Sequence, residues 1–238
     1  SRFIQSTNHC FDNYKRIVLV SLYDSEQDNY FSGTPVPLCE DMRGWAKGVE
    51  ALSFVTYPRQ MPFDIEVRPG KTLPYELKRM ETDSLYARIF TPRIVAGSWE
   101  GASHTPNALV MSRSTAARIF GSEAEAIGKT CVMTRRLPTS PSATPHNGGI
   151  TYTVQAVMDD TPLNNSLHFM ETMDMLVLND SEGLLQSNRR HEMTGGNTFV
   201  LLAPDADIRQ LEEQFMQRDY SWRLYDRDYE AQVFPIGR

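Results

Sequence analysis

The sequence predicts an α+β fold: an outer subdomain split between the two ends of the chain, with a smaller α/β subdomain threaded into it. Three observations predict it. Residues 1–70 read strand, helix, strand and one further strand. Residues 197–238 read strand, helix, strand again. The stretch between them, residues 71–196, carries helices and strands of its own.

Arg16 to Tyr23 is a short apolar run rich in β-branched residues and reads as a buried strand. Pro35 and Pro37 then open a helix, with Glu40 and Asp41 placed in its first turn, where the dipole favours anions. Leu38, Met42 and Trp45 recur at helical spacing on one face, and Gly48 ends the segment. Ala51 to Tyr57 is a second strand. Phe63, Ile65 and Val67 alternate as a third. At the far end, Asn197 to Ala203 reads as a strand. Asp205 is the expected N-cap of a helix whose stripe is Ile208, Leu211 and Phe215. A last strand is expected within Arg223 to Phe234. Two such units combine into one antiparallel sheet with helices on one face, the ferredoxin-like arrangement.

In the middle, Asp83 or Ser84 caps a short helix over Leu85 to Phe90. Ala108 to Met111 is a strand. Ser112 then caps a helix through Ile119 and Phe120, and Gly121 stands where a left-handed cap belongs. Thr130 to Thr134 and Ile150 to Val157 read as a hairpin, joined by an exposed loop over Arg135 to Gly149. A polar segment from Asn179 to Asn197 returns the chain to its outer part.

The chain has 238 residues, 40% hydrophobic and 23% charged, enough apolar content for a sizeable core. Its formal net charge of -6 argues against a nucleic-acid partner, which wants a basic face. The longest apolar runs, such as Ile17 to Val20, fall far short of the roughly 20 residues a bilayer needs. The start is polar and does not resemble a signal peptide. Either the protein is cytoplasmic or its membrane segments lie outside this sequence. Cys10, Cys39 and Cys131 are widely separated and have no metal-binding spacing. A Cys10–Cys39 bridge is open to an oxidising compartment, but free thiols packed as small hydrophobes are the better reading.

Catalytic, cofactor and metal sites are not expected. The five histidines (His9, His104, His146, His168 and His191) are scattered singly. Asp159, Asp160 and His168 are the one conceivable cluster. Gly97-Ser-Trp-Glu-Gly101 reads as a turn, because its serine directly follows the first glycine and makes no nucleophile elbow. The pair Gly195-Gly196 reads as a turn as well. No Walker or dinucleotide motif is present, so no ATP should bind here. Lys129 lacks an upstream glycine and reads as a solvated strand-edge lysine. Phe120 reads as a core plug and Trp45 as part of an apolar stripe. Trp99 and Trp222 are the expected exposed aromatics, Trp222 being the better interfacial candidate.

Several segments together carry a resemblance. Ala108-Leu-Val-Met-Ser-Arg-Ser-Thr-Ala-Ala-Arg-Ile-Phe-Gly121, followed by Ala126-Ile-Gly-Lys-Thr130, resembles the periplasmic core domain of MacB/FtsX-like permeases. There a strand runs into a helix ending in Phe-Gly, and Pro-Ile-Gly-Lys follows; here Ala126 takes the proline place. Tyr152-Thr-Val-Gln-Ala-Val-Met-Asp159 is similar to that family's Tyr-Thr-Val-Val-Gly-Val strand. Asn165-Ser-Leu-His-Phe169 is similar to its Asn-Ser-His-Phe run, with Leu167 extra. Asp83 to Gly97 and Phe199 to Phe215 look like its flanking segments. The resemblance covers roughly residues 50–217.

The resemblance implies a porter-like outer subdomain with a smaller one inserted. It also implies a transmembrane helix before residue 1 and three more after Arg238. The domain would then lie on the periplasmic side of the cytoplasmic membrane. Its function would be non-enzymatic, transmitting ATPase-driven conformational change to cargo or partner proteins outside. Implied partners are a separate ATPase subunit or domain, a second permease copy, and periplasmic or outer-membrane proteins. The inserted subdomain, with the Arg135–Gly149 loop, is the expected contact surface. Two alternatives stand beside this reading: a free-standing periplasmic or secreted ligand-binding module, and an enzyme built around Asp159, Asp160 and His168.

Overall fold

The computed structural model of the protein describes residues 8, 10–31, 33–134, 149–162, 173–180, 195–218, 221–224 and 227–237. Alternating side chains along its strands feed three apolar cores, and these cores explain the architecture.

The outer sheet runs β3-β11-β1-β13-β12. Its strands are β1 (Ile17–Asp24), β3 (Val49–Thr56), β11 (Gly196–Leu202), β12 (Ser221–Leu224) and β13 (Arg227–Pro235), and a three-residue β2 (Asn29–Phe31) pairs with β1. Every pairing in it is antiparallel. One face carries Val18, Val20, Leu52, Phe54 and Val200. Helices α1 (Val36–Trp45) and α6 (Ile208–Gln217) close that face with Leu38, Cys39, Met42, Leu211 and Phe215. This is the split sheet with helices on one face that the two ends of the sequence predict. The last expected strand is a hairpin of two, β12 and β13.

The middle of the chain closes into a mixed six-stranded barrel, which the sequence did not predict. Its strands are β4 (Arg59–Arg68), β5 (Lys71–Thr82), β7 (Ala108–Ser112), β8 (Thr130–Met133), β9 (Ile150–Met158) and β10 (Met175–Leu178). Around the barrel, β5 pairs with β4 and β10, β7 with β10 and β9, and β8 with β9 and β4. The contacts β5–β10 and β7–β9 are parallel. Phe63, Ile65, Leu77, Leu109, Met111, Val154, Met175 and Val177 pack in its interior core, with Ala116 and Ile119 of α4 (Arg113–Phe120) and Ala126 of α5 (Glu123–Ala126). The strand over residues 63–67, read from sequence with the outer strands, is β4. It bonds to β5 and β8 because Phe63 and Ile65 face this core.

A third core lies between sheet and barrel. Ile17, Ala51, Val55, Phe199 and Leu201 come from the sheet; Met80, Ala108, Val110, Ala156, Leu176 and Leu178 come from the barrel wall. Strict alternation does this: in β7, Leu109 and Met111 point inward while Ala108 and Val110 point to the sheet. Helix α2 (Tyr86–Phe90) fills the same layer through an aromatic chain. Phe11 meets Phe90 at 5.2 Å, Phe90 meets Phe199 at 5.0 Å, and Tyr86 stacks on Trp99 of α3 (Trp99–Ser103) at 5.7 Å. The short β6 (Ile94–Gly97) joins β9.

The chain crosses from sheet to barrel after β3 and returns before β11. At that point the Tyr57 N–H donates to the Gly195 carbonyl at 3.0 Å, so the two crossings lie side by side.

Several local expectations need correction. Helix α1 begins at Val36, so Glu40 and Asp41 fall beyond its first turn. The cap of α6 is Asp207, which accepts from the Arg209 N–H at 3.0 Å; Asp205 lies outside the helix. Ser98 does more than turn the chain, because its hydroxyl caps α3 by accepting from the Gly101 N–H at 2.8 Å. Gly121 ends α4 at φ 91°, the left-handed cap that the sequence predicts.

Candidate functional site

Among the described residues, the seam where sheet meets barrel carries a group of polar contacts that cross between the two. It starts from one ladder pair, Val55 with Thr82, the contact that joins β3 to β5. Polar side chains reinforce it on both sides. Thr82 Oγ1 donates to the Phe54 carbonyl at 2.9 Å and lies 3.1 Å from Ser53 Oγ. The Glu81 N–H donates to Thr56 Oγ1 at 2.8 Å. Asn179, just past β10, donates from Nδ2 to Glu81 Oε2 at 2.8 Å and from its backbone N–H to the Thr82 carbonyl at 2.8 Å. Arg79 pairs with Glu81 from within the same strand.

Asp83 is the centre of the seam. It follows β5 directly, and its Oδ1 accepts from the Leu85 N–H at 2.9 Å, which turns the chain into α2. Its Oδ2 receives Arg43 Nη2 at 2.7 Å, an ion pair that ties α1 of the outer layer to the barrel's longest strand. Arg43 is held in turn by Glu40 at 3.2 Å. The Asp83 side chain is only 8% exposed, and burial pushes its carboxyl up while Arg43 pulls it back. Arg43, Asp83, Ser84, His104, Asn179 and Asp180 line a cavity of about 530 Å³ beside this pair.

A second polar node ties the barrel to its own helix. Asp174 accepts from the Lys78 N–H at 2.8 Å, from Thr115 Oγ1 at 2.6 Å and from Arg118 Nη2 at 3.0 Å. Neither node aligns a nucleophile with a base; both hold elements at fixed spacing. Among the described residues, no group of three His, Cys, Asp or Glu could hold a metal ion. No helix among them is long and apolar enough to cross a membrane.

Asp159 pairs with Arg93 and Arg113, each at 3.2 Å. Asp160 accepts from the Ser114 N–H at 3.2 Å and its hydroxyl at 2.7 Å, doing the capping of α4 that Ser112 was expected to do. Both therefore have structural partners, and His168 lies outside the described residues. So do His9, His146, His191, residues 135–148 of the expected contact loop and 165–169 of the family-like run. Lys129 is partly buried before β8, its backbone bonded to Ala126 and Val154. Phe120 packs against the barrel core. Trp45 lies against Phe215 at 5.1 Å, with Arg218 over its ring at 4.7 Å. Trp99, expected to be exposed, is instead half-buried on Tyr86, and its Nε1 donates to the Ser84 carbonyl at 3.0 Å. Trp222 stands in β12, with its side chain outside the description. Cys10, Cys39 and Cys131 are free thiols, and burial pushes Cys131 up to about 12. Sequence reasoning missed Arg43 and the trio Thr56, Glu81 and Asn179, since their partners are distant in the chain.

The model of the family described as the MacB-like periplasmic core domain matches residues 7–218. The chain belongs to that family. No curated protein matches it. Among solved structures, this MacB-like core domain is similar to a domain of a permease protein from Porphyromonas gingivalis. The TM-score is 0.66 at 19% identity, covering 94% of this chain and 92% of that one. It is also similar to the periplasmic region of MacB from Actinobacillus actinomycetemcomitans. There the TM-score is 0.60 at 9% identity, over 98% of this chain and 93% of the other. A third likeness is to the extracellular domain of the noncanonic ABC-type transporter YknZ from Gram-positive bacteria. Its TM-score is 0.50 at 12% identity, over 91% and 99% of the two chains. The MacB-like core domain is thus a periplasmic or extracellular part of an ABC-transporter permease, and the family is non-catalytic.

Proposed function

We propose that this core domain is a mechanical relay, carrying ATPase-driven movement of the permease to cargo or partner proteins outside the membrane. One observation carries the reading: sheet and barrel are locked together. They share an apolar core, the Val55–Thr82 ladder pair and the Arg43–Asp83 ion pair. A displacement applied to the sheet therefore moves the barrel as well, because a packed interior transmits strain rather than absorbing it. In this reading the two ends of the chain form the outer, porter-like subdomain and the middle the inserted one; the boundary expected at residue 70 moves back to the β3–β4 crossing, because β4 bonds within the barrel.

The first and last described segments support the placement. Asn8 Nδ2 bonds to the Ile236 carbonyl, and the Ile236 N–H donates to Ile17 at 3.1 Å, so both ends leave from one side of the module. Membrane helices attached there would enter one bilayer surface. The ATPase would act through those helices. A second permease copy would present a second relay, and in a cell with two membranes the pair would stand in the periplasm.

The test is distance measurement in the full-length permease, reconstituted with its ATPase. Spin labels replace the exposed Leu73 of the β4–β5 hairpin and Met216 of α6. Between two copies the distances should change from the nucleotide-free to the ATP-bound state. Within one copy the 73–216 distance should stay constant. Unchanged distances between copies through an active ATPase cycle overturn the proposal.

A further inference from the structure

One aromatic cluster takes no part in any of the three cores. On β1, Ile17 and Leu19 face the layer between sheet and barrel, and Tyr23 follows on the same side. Tyr30 of β2 pairs with Tyr23 across the hairpin. On β13, Val233 points to the α1–α6 side, which turns Phe234 to the face that holds Tyr23. The rings meet: Tyr23 and Tyr30 at 4.7 Å, Tyr30 and Phe234 edge-on at 5.5 Å. Tyr30 is 52% exposed and Phe234 40%.

Carboxylates rim these rings. Asp28 accepts from the Tyr23 hydroxyl at 2.9 Å, and Glu230 stands opposite Tyr23 in the ladder. The Asp28 hydrogen bond pushes the Tyr23 phenol up, with its charge and that of Glu230 adding to the effect. Glu26 is exposed in the same turn. Among the described residues no Lys or Arg stands over any of the three rings, and neither Asp28 nor Glu230 forms an ion pair. Elsewhere in the molecule cations do occupy ring faces: Lys15 over Tyr14, Arg79 over Tyr152 and Arg218 over Trp45.

Ring faces carry negative electrostatic potential, and carboxylates beside them deepen it. Such a surface attracts a cation, above all a guanidinium that can lie flat on a ring while forking to a carboxylate. It repels anionic headgroups and acidic peptides, and the chain's net charge of -6 works in the same sense. We propose that the Tyr23–Tyr30–Phe234 patch docks a basic segment of a partner protein, one arginine or lysine seated on the exposed Tyr30 ring beside the Asp28 and Glu230 carboxylates that flank Tyr23. The proposal does not depend on the relay reading, since the patch binds or fails to bind whatever the module transmits.

The test is titration of the ¹⁵N-labelled chain with an end-blocked Gly-Arg-Gly-Arg-Gly peptide and its Glu counterpart, followed by NMR. The arginine peptide should give saturable shifts centred on residues 23, 28–30, 230 and 234, and the Glu peptide none. Tyr30→Leu keeps apolar bulk and loses the ring face, and should weaken binding by about threefold or more. Asp28→Asn combined with Glu230→Gln should weaken it further and flatten its salt dependence. No saturable shift, an equal response to the Glu peptide, or unchanged affinity in Tyr30→Leu overturns the proposal. So does cosedimentation with phosphatidylglycerol vesicles that Tyr30→Leu abolishes, which would assign the patch to a lipid surface.

Discussion

At Asp83 burial and pairing act against each other. Burial holds the folded carboxyl above its ordinary value of 3.8, with Arg43 opposing. The folded state then binds more protons than the unfolded state in the window just above that value, so stability falls as pH rises through it. In urea unfolding across that window, wild type should lose stability relative to Asp83→Asn as pH rises; a difference that stays flat would exclude this role. Arg43→Ala leaves the buried carboxylate without its cation. Because Arg43 itself is 26% exposed, the expected loss at neutral pH is about 2 kcal/mol rather than the full value of a deeply buried pair. The loss should shrink in the double variant with Asp83→Asn. The pair was invisible in the sequence. Its members stand 40 positions apart, Arg43 carries no signal of its own within the helix, and Asp83 reads as a cap.

Elements with a local signal were legible, and those defined by their neighbours were not. Strand β1, helix α1, the β7–α4 unit ending at Gly121, the β8–β9 hairpin and the β11–α6 pair each carry periodicity or cap chemistry. Strand β5 hides because only a few of its residues, Leu77 and Met80 among them, face a core, and its first half holds Pro74 among polar residues. Strand β10 hides for the opposite reason. Its four residues are all buried, alternating between two cores, so it shows no period. Two changes probe element ends. Gly196→Ala puts a Cβ 2.6 Å from Thr56 Cα and into the Val55 carbonyl, at the start of β11. It should cost about 3 kcal/mol by chemical denaturation. Asp207→Ala removes the α6 cap and should cost about 1 kcal/mol, whereas Asp205→Ala should change stability little.

For the whole molecule, the shared middle core makes sheet and barrel unfold together. Phe199→Ala strips a buried ring from that core and should destabilise by about 3–4 kcal/mol. Far-UV circular dichroism and tryptophan fluorescence should then still report one coincident transition; two separated transitions would mean independent units. Barrel closure could not be read from sequence, because it depends on the parallel β5–β10 contact, which aligns Arg79 with Met175 and leaves no local trace. Tyr57 and Gly195 touch, so everything between them leaves and re-enters the sheet through a gap the width of a tight turn. To the host strands such a graft looks no larger than a hairpin, and the entropy of closing it grows only with the logarithm of its length. A longer or shorter head can therefore be carried at this point without altering the spacing of the strands beneath it, so long as the residues it packs on the sheet are kept.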